Sequence, residues 1–178
     1  YSFKFEDHPV IDDLTVAAAY SRYDLLDGGL DTEEINLKLI EIRTHEGDRC
    51  DFSIKIEREI LMVPFEIVDG IEVPAGNYRQ VEFEFEWASS AKRPFFMEME
   101  IEYGDYYLGD ALKLESRLFY RPSRFAQLQI GGDFTDADMP VGNFEAWTSF
   151  LGLRLTPTTK LSFNSVTQYD NLSKQMGL

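Results

Sequence analysis

Apolar and polar residues alternate with a period of two in segment after segment from Ile35 to Asp170, and no other feature limits the fold so tightly. That period sends successive side chains to opposite faces of a strand, whereas an amphipathic helix needs apolar residues three and four apart. Helical spacing is nearly absent, with only Leu14 to Tyr23 ambiguous. The chain is therefore expected to be all-β, an antiparallel up-and-down meander of about eight to ten strands in one domain over residues 1–178.

The cleanest pair of strands runs from Val81 to Trp87 and from Met97 to Tyr103. Val81, Phe83, Phe85 and Trp87 share one face with Met97, Met99, Ile101 and Tyr103, while Glu82, Glu84, Glu86, Glu98, Glu100 and Glu102 share the other. A turn over Ser89 to Arg93 sets Trp87 opposite Met97 and Phe85 opposite Met99, with Glu86 opposite Glu98 and Glu84 opposite Glu100. Facing glutamates repel by up to about 1 kcal/mol per pair, so water and cations must relieve them. Lys113 and Arg117, beside Glu115 on the polar face of the next strand, are the nearest candidates, and Lys55 is a more distant one.

Further strands read at Ile35 to Arg43, Phe52 to Arg58, Ala111 to Tyr120, Phe125 to Phe134, Phe144 to Leu155 and Leu161 to Asp170, with a less distinct one within Leu14 to Tyr23. Short connections (Thr44 to Arg49, Ser89 to Arg93, Arg121 to Arg124, Thr156 to Lys160) alternate with long ones (Glu59 to Tyr78, Gly104 to Asp110, Thr135 to Asn143, and onward from Asn171). Short turns at one end and longer loops at the other are the habit of outer-membrane barrels, whose short turns face the periplasm.

Alternation alone does not say whether the apolar face meets lipid or a protein core. Trp87 and Tyr120 lie near short turns, and Tyr103, Phe134, Trp147 and Tyr169 lie toward the long loops. That placement is similar to the two interfacial girdles of a membrane barrel, although strand-end aromatics also close soluble cores.

A formal net charge of -15 argues against a nucleic-acid partner, which needs a concentrated Lys/Arg surface, and against docking on anionic lipid. No apolar run approaches the roughly 18 residues of a membrane helix, so membrane residence would rest on strands. Cys50 is alone and builds neither an intrachain disulfide nor a cysteine-rich metal site. His8 and His45 have no metal-ligand spacing. Asp133, Asp136 and Asp138 lack the Gly and closing Glu of a calcium loop. Gly131-Gly132 sits in an alternating strand without a following helix or Lys, so a bulge or a site of close packing is expected rather than a phosphate loop. A glycosidase needs two carboxyls in unlike environments. Glu84 with Glu100 would be the pair, but the repeated spacing singles out no pair, and no catalytic residue, cofactor or metal is expected.

Several stretches carry a resemblance. Pro64-Phe65-Glu66-Ile67 and Ile71-Glu72-Val73-Pro74-Ala75-Gly76-Asn77-Tyr78 are followed by Tyr103-Gly104-Asp105-Tyr106-Tyr107-Leu108-Gly109. Then come Tyr120-Arg121-Pro122-Ser123, Met139-Pro140-Val141-Gly142-Asn143-Phe144 and Val166-Thr167-Gln168-Tyr169-Asp170-Asn171, the last interrupted at Thr167. Their order resembles the C-terminal barrel region of bacterial outer-membrane proteins that carry an N-terminal carbohydrate-binding family nine-like module and are often labelled hydrolases. The resemblance covers about the last two-thirds of the chain. It implies further strands rich in Arg and aromatics after Leu178, and a sugar-related module elsewhere in the protein.

The resulting expectation is a non-enzymatic segment of an outer-membrane barrel in a Gram-negative cell, acting as pore, anchor or scaffold. Glu82, Glu84, Glu86, Glu98, Glu100, Glu102, Lys113, Glu115 and Arg117 would face an acidic lumen, and Val81, Phe83, Phe85, Trp87, Met97, Met99, Ile101 and Tyr103 would face lipid. Outer-membrane lipid is the expected partner, with a glycan or small solute as a further candidate. Because the chain opens inside an alternating run at Tyr1 and stops just past a loop, it is expected to be a piece of a longer barrel. The alternative is a soluble acidic β-sandwich or small barrel that binds a ligand such as a glycan, with Phe83, Phe85, Met99 and Ile101 in a dry core.

Overall fold

The structure, a computed structural model, describes residues 1–26 and 28–177. It is all-β, and no helix occurs among the described residues. Nine long strands make up most of it: β2 (Ile11–Asp24), β3 (Leu30–Thr44), β4 (Arg49–Leu61), β7 (Gly76–Ala88), β8 (Phe95–Tyr106), β9 (Gly109–Ser123), β10 (Ala126–Asp138), β11 (Phe144–Thr158) and β12 (Leu161–Asp170). Short strands β1 (Ser2–Lys4) and β13 (Met176–Gly177) flank them, and β5 (Phe65–Val68) pairs with β6 (Ile71–Val73) in a separate hairpin. The main sheet has 11 strands in the order β1-β2-β3-β4-β7-β8-β9-β10-β11-β12-β13, and its paired strands are antiparallel neighbours in that order. The sheet is open, with β1 and β13 at its edges and no pairing between them among the described residues. The Leu14 to Tyr23 stretch falls within β2, where pairing with β3 overrides its ambiguous local pattern.

The β7–β8 register differs from the sequence expectation by two residues: Trp87 faces Met99, Phe85 faces Ile101, Glu86 faces Glu100 and Glu84 faces Glu102. Faces are preserved because the shift is even. Ser89 explains it. Its amide donates to the Met97 carbonyl at 2.8 Å while its hydroxyl accepts from the Met97 amide at 2.7 Å, so the ladder continues one step past Ala88. Gly104 to Asp110 is not a long loop either, since only Tyr107 and Leu108 separate β8 from β9. Such a turn usually announces itself with Asn-Gly or Asp-Gly, because it needs positive φ. Here Tyr107 itself takes φ 52°. The ring packs edge-on against Phe65, Tyr78 and Tyr106, and the amide donates to Gln80 Oε1 at 2.8 Å. Tertiary packing thus holds a conformation that a bulky residue alone would avoid.

Gly131 and Gly132 lie in regular β10 pairing, without a bulge. A Cβ at Gly131 would come within 2.6 Å of both the Phe150 ring and the Ser116 carbonyl oxygen, so the Phe150 side chain lies across the space the glycine leaves.

The distribution of burial is inverted relative to a water-soluble domain. Glu82 is 8% exposed while its neighbour Phe83, on the opposite face, is 45% exposed. Asp51 is 1% exposed, whereas Leu118, Ile130 and Leu151, paired side by side across β9, β10 and β11, are 45%, 51% and 48% exposed. In a sheet one layer thick, such a contrast requires curling toward the polar face, which becomes the inner one. The total accessible area, 11703 Å², exceeds the about 8,900 Å² of a compact monomer of this mass, as expected of one layer without a second sheet behind it.

Candidate functional site

The inner face carries the chemistry. Glu82, Glu84, Glu86, Glu98, Glu100, Glu102, Lys113, Glu115 and Arg117 all lie on it, because the β7–β8 and β8–β9 registers place Glu84 beside Glu102 and Lys113, and Glu86 beside Glu100 and Glu115. One cross-strand row continues through both neighbours: Glu41, Asp51, Glu86, Glu100, Glu115 and Asp133 stand directly opposite one another from β3 to β10. Adjacent like charges disfavour such a row unless partners intervene.

Those partners are mostly ones that the sequence did not single out. Lys38 sits between Glu41, at 2.6 Å, and Asp51, and Arg43 reaches Glu41 at 2.8 Å. Arg49 pairs with Glu86. Thr148 donates to Asp133 at 2.8 Å. Ser53 donates within reach of both Asp51 Oδ1, at 3.3 Å, and Glu84 Oε2, at 3.1 Å. Among the expected cations, Lys113 bridges Glu102 at 2.8 Å and Glu82 at 3.3 Å. Arg117 pairs with Glu115 at 3.1 Å although Glu98 is the residue opposite it, and Lys55 turns to Glu57 at 2.9 Å. Glu100 alone in the row has neither a cation nor a hydroxyl partner among the described residues. A cavity of about 160 Å³ opens there, lined by Glu86, Glu100, Glu115, Arg49 and Arg117. Among the described residues no group of three His, Cys, Asp or Glu side chains converges in a metal-binding geometry. Glu84 and Glu100 stand as two members of this lattice, one row apart.

At the end of the sheet where β7 begins, the inner face is capped. Tyr78, Ala111 and Ala137, on β7, β9 and β10, are buried together with Val73 of the hairpin and Met139. Tyr78 donates its hydroxyl to the Pro74 carbonyl at 2.7 Å, Phe65 packs on Tyr107 with ring centroids 5.4 Å apart, and Ile71 lies against Gly142. The hairpin therefore bridges from β7 to the Met139–Asn143 loop. Burial and the neighbouring Glu59 carboxylate push the Tyr107 hydroxyl up, so it remains a neutral donor.

At the opposite end, turns lock to one another. Arg93 holds Asp48 through paired contacts of 2.6 and 2.8 Å, and the Ser90 amide donates to the same carboxylate at 2.9 Å. Arg93 first, then the Ser90 amide, holds the Asp48 carboxyl below its ordinary range. A depressed folded value means that the stabilisation is complete above pH of about 4 and is lost as pH falls through the folded value. Arg93→Gln should therefore show a smaller loss of denaturant resistance between pH 6 and pH 2.5 than the parent chain, read as the difference in unfolding midpoints. Equal losses would show that the latch contributes nothing.

The outer face is continuous and apolar. Ile40, Phe52, Phe85, Ile101, Leu114, Phe134 and Trp147 stand side by side from β3 to β11. Val81, Phe83, Trp87, Met97, Met99 and Tyr103 lie on the same face. Aromatics collect toward its two ends: Phe95 stacks on Tyr120 at 4.2 Å near the short turns, and Trp147 meets Tyr169 at 5.3 Å near the loops.

Comparison with known proteins found no family model, curated protein or solved structure that matches this chain.

Proposed function

We propose that this chain forms wall of an outer-membrane β-barrel, with the acidic inner face lining an aqueous interior and the outer face in lipid. The observation that carries this reading is the inversion of burial, with Glu82 at 8% and Phe83 at 45% exposure on adjacent positions. Exposed apolar surface on soluble monomers is normally limited to patches of a few hundred Å², and a continuous apolar row seven strands wide calls for a covering medium. Strands of 10 to 15 residues exceed the roughly 9–11 needed to cross a bilayer with a tilt. Aromatics at both ends of the apolar band support the same placement.

The role is non-enzymatic: pore, anchor or scaffold. An interior with more carboxylates than cations favours cations over anions in any passage it lines. Closure of the sheet into a barrel, the outer-membrane location and kinship with the carbohydrate-binding-associated family belong to this proposal. The soluble-sandwich alternative needs a second layer on the apolar face, and the hairpin that could have served packs on the inner one.

The test is fractionation of the full-length protein. It is expected to partition with outer membranes, to need detergent for extraction and to migrate faster on a gel when unheated. Recovery as a water-soluble monomer without detergent overturns the reading.

A further inference from the structure

We infer that the inner face carries an anion site for phosphate groups at the β9–β10 turn end, formed by Arg121, Arg124 and Arg154. The three guanidinium-bearing residues line one cavity of about 370 Å³ together with Gln127, Ser123 and Thr156. In a chain with 32 Asp and Glu against 17 Lys and Arg, this cavity has no carboxylate in its wall. None of the three arginines is within ion-pair distance of a carboxylate among the described residues.

The arginines are oriented without being neutralised. Arg121 Nε donates to Gln127 Oε1 at 2.7 Å, its Nη1 reaches the Ala91 carbonyl at 3.5 Å, and its guanidinium lies over the Phe96 ring at 4.6 Å. Phe96 is itself stacked on Phe119 with centroids 4.4 Å apart, which fixes that platform. Gln127 stands directly opposite Arg154, whose Nε donates to Asn164 Oδ1 at 3.1 Å. Arg124 lies over the Phe125 ring at 4.6 Å. Amide oxygens thus satisfy each Nε of Arg121 and Arg154 while leaving full positive charge and further N–H groups on both. Clustered like charges repel, and planar guanidinium forks are matched to phosphate oxygens, so a phosphate group relieves the repulsion and takes the remaining donors. Among tetrahedral and planar oxyanions, one bearing two charges satisfies three cations best. The site uses inner-face and turn residues only, and stands whichever medium covers the outer face.

The source of the phosphate is either a soluble phosphate compound or a lipid headgroup, and two probes separate them. Pyrophosphate is titrated by calorimetry into the full-length protein in a neutral detergent, and phosphatidate-containing nanodiscs are compared with phosphatidylcholine ones. Binding of pyrophosphate that weakens with added salt, and at least about tenfold in Arg121→Gln/Arg154→Gln but not in Arg22→Gln, supports a soluble ligand. Binding confined to phosphatidate, with the same dependence on the arginines, supports a headgroup. If the double variant does not fold, Arg154→Gln alone serves the same comparison. Absence of binding to both probes, or equal binding by the variants, overturns the inference.

Discussion

Arginine at position 101 is expected to prevent assembly into lipid bilayers. Ile101 stands on the outer face between Phe85 and Leu114, near the middle of β8, and a guanidinium there would be held in hydrocarbon. For a barrel strand the cost is about 2–4 kcal/mol near mid-bilayer, falling toward the interfaces. Glu100→Gln, one residue away on the inner face, supplies the contrast. It removes a like charge facing both Glu86 and Glu115, each such pair being worth up to about 1 kcal/mol, and should leave assembly intact or improve it. The measurement is the yield of heat-modifiable protein on refolding into liposomes, with denaturant unfolding of the product. Should Ile101→Arg fold as well as the parent chain in lipid, the outer face does not contact hydrocarbon.

Lys38→Met should be the most damaging single change on the inner face. It strips the cation shared by Glu41 and Asp51, whose exposures are 7% and 1%. Glu41 keeps Arg43, but Asp51 is left buried without a cation, which costs about 3–5 kcal/mol for a fully buried pair. Lys38 keeps about a quarter of its side-chain surface exposed, so about 3 kcal/mol is expected. Asp51→Asn in the same chain should restore part of it, because the orphaned charge is then absent. Chemical unfolding of the single and double variants checks both statements. A loss below about 1 kcal/mol for Lys38→Met would mean that water, rather than Lys38, compensates the row.

The nine long strands, and the two faces of β7, β8 and β9, were legible from alternation, since a period of two survives any even change of register; the short β1, β5, β6 and β13 were not. What escaped was set by hydrogen bonds and packing that leave no mark on polarity. Ser89 extends the β7–β8 ladder with its hydroxyl, which a residue count of the turn cannot anticipate. Tyr107-Leu108 makes a two-residue turn without the usual glycine, because an aromatic cluster drawn from distant segments holds it. Asp51 and Arg49 were missed because β4 begins three residues before the expected Phe52, and Lys38 and Glu41 for another reason. The alternation in β3 changes phase where Leu39 and Ile40 are adjacent, and the ladder has a bulge there between Lys38 and Ile40. Two neighbouring apolar residues inside an alternating run are the signal that could have placed Lys38 on the charged face. The arginine cavity had no such signal, since its members come from three strands and a turn.

Because the main sheet is a single layer of sequence neighbours, each hairpin can form locally, yet none gains an apolar partner from the rest of the polypeptide. In water, collapse would press the outer faces against one another in the wrong arrangement. Under the proposed function, the force that drives folding lies outside the chain, and the order of events follows: the unfolded protein must be kept from self-association during transit, and hairpins become stable only on arrival at the bilayer surface. Refolding should then depend more on lipid thickness and on the supply of holding chaperones than on the stability of any isolated hairpin.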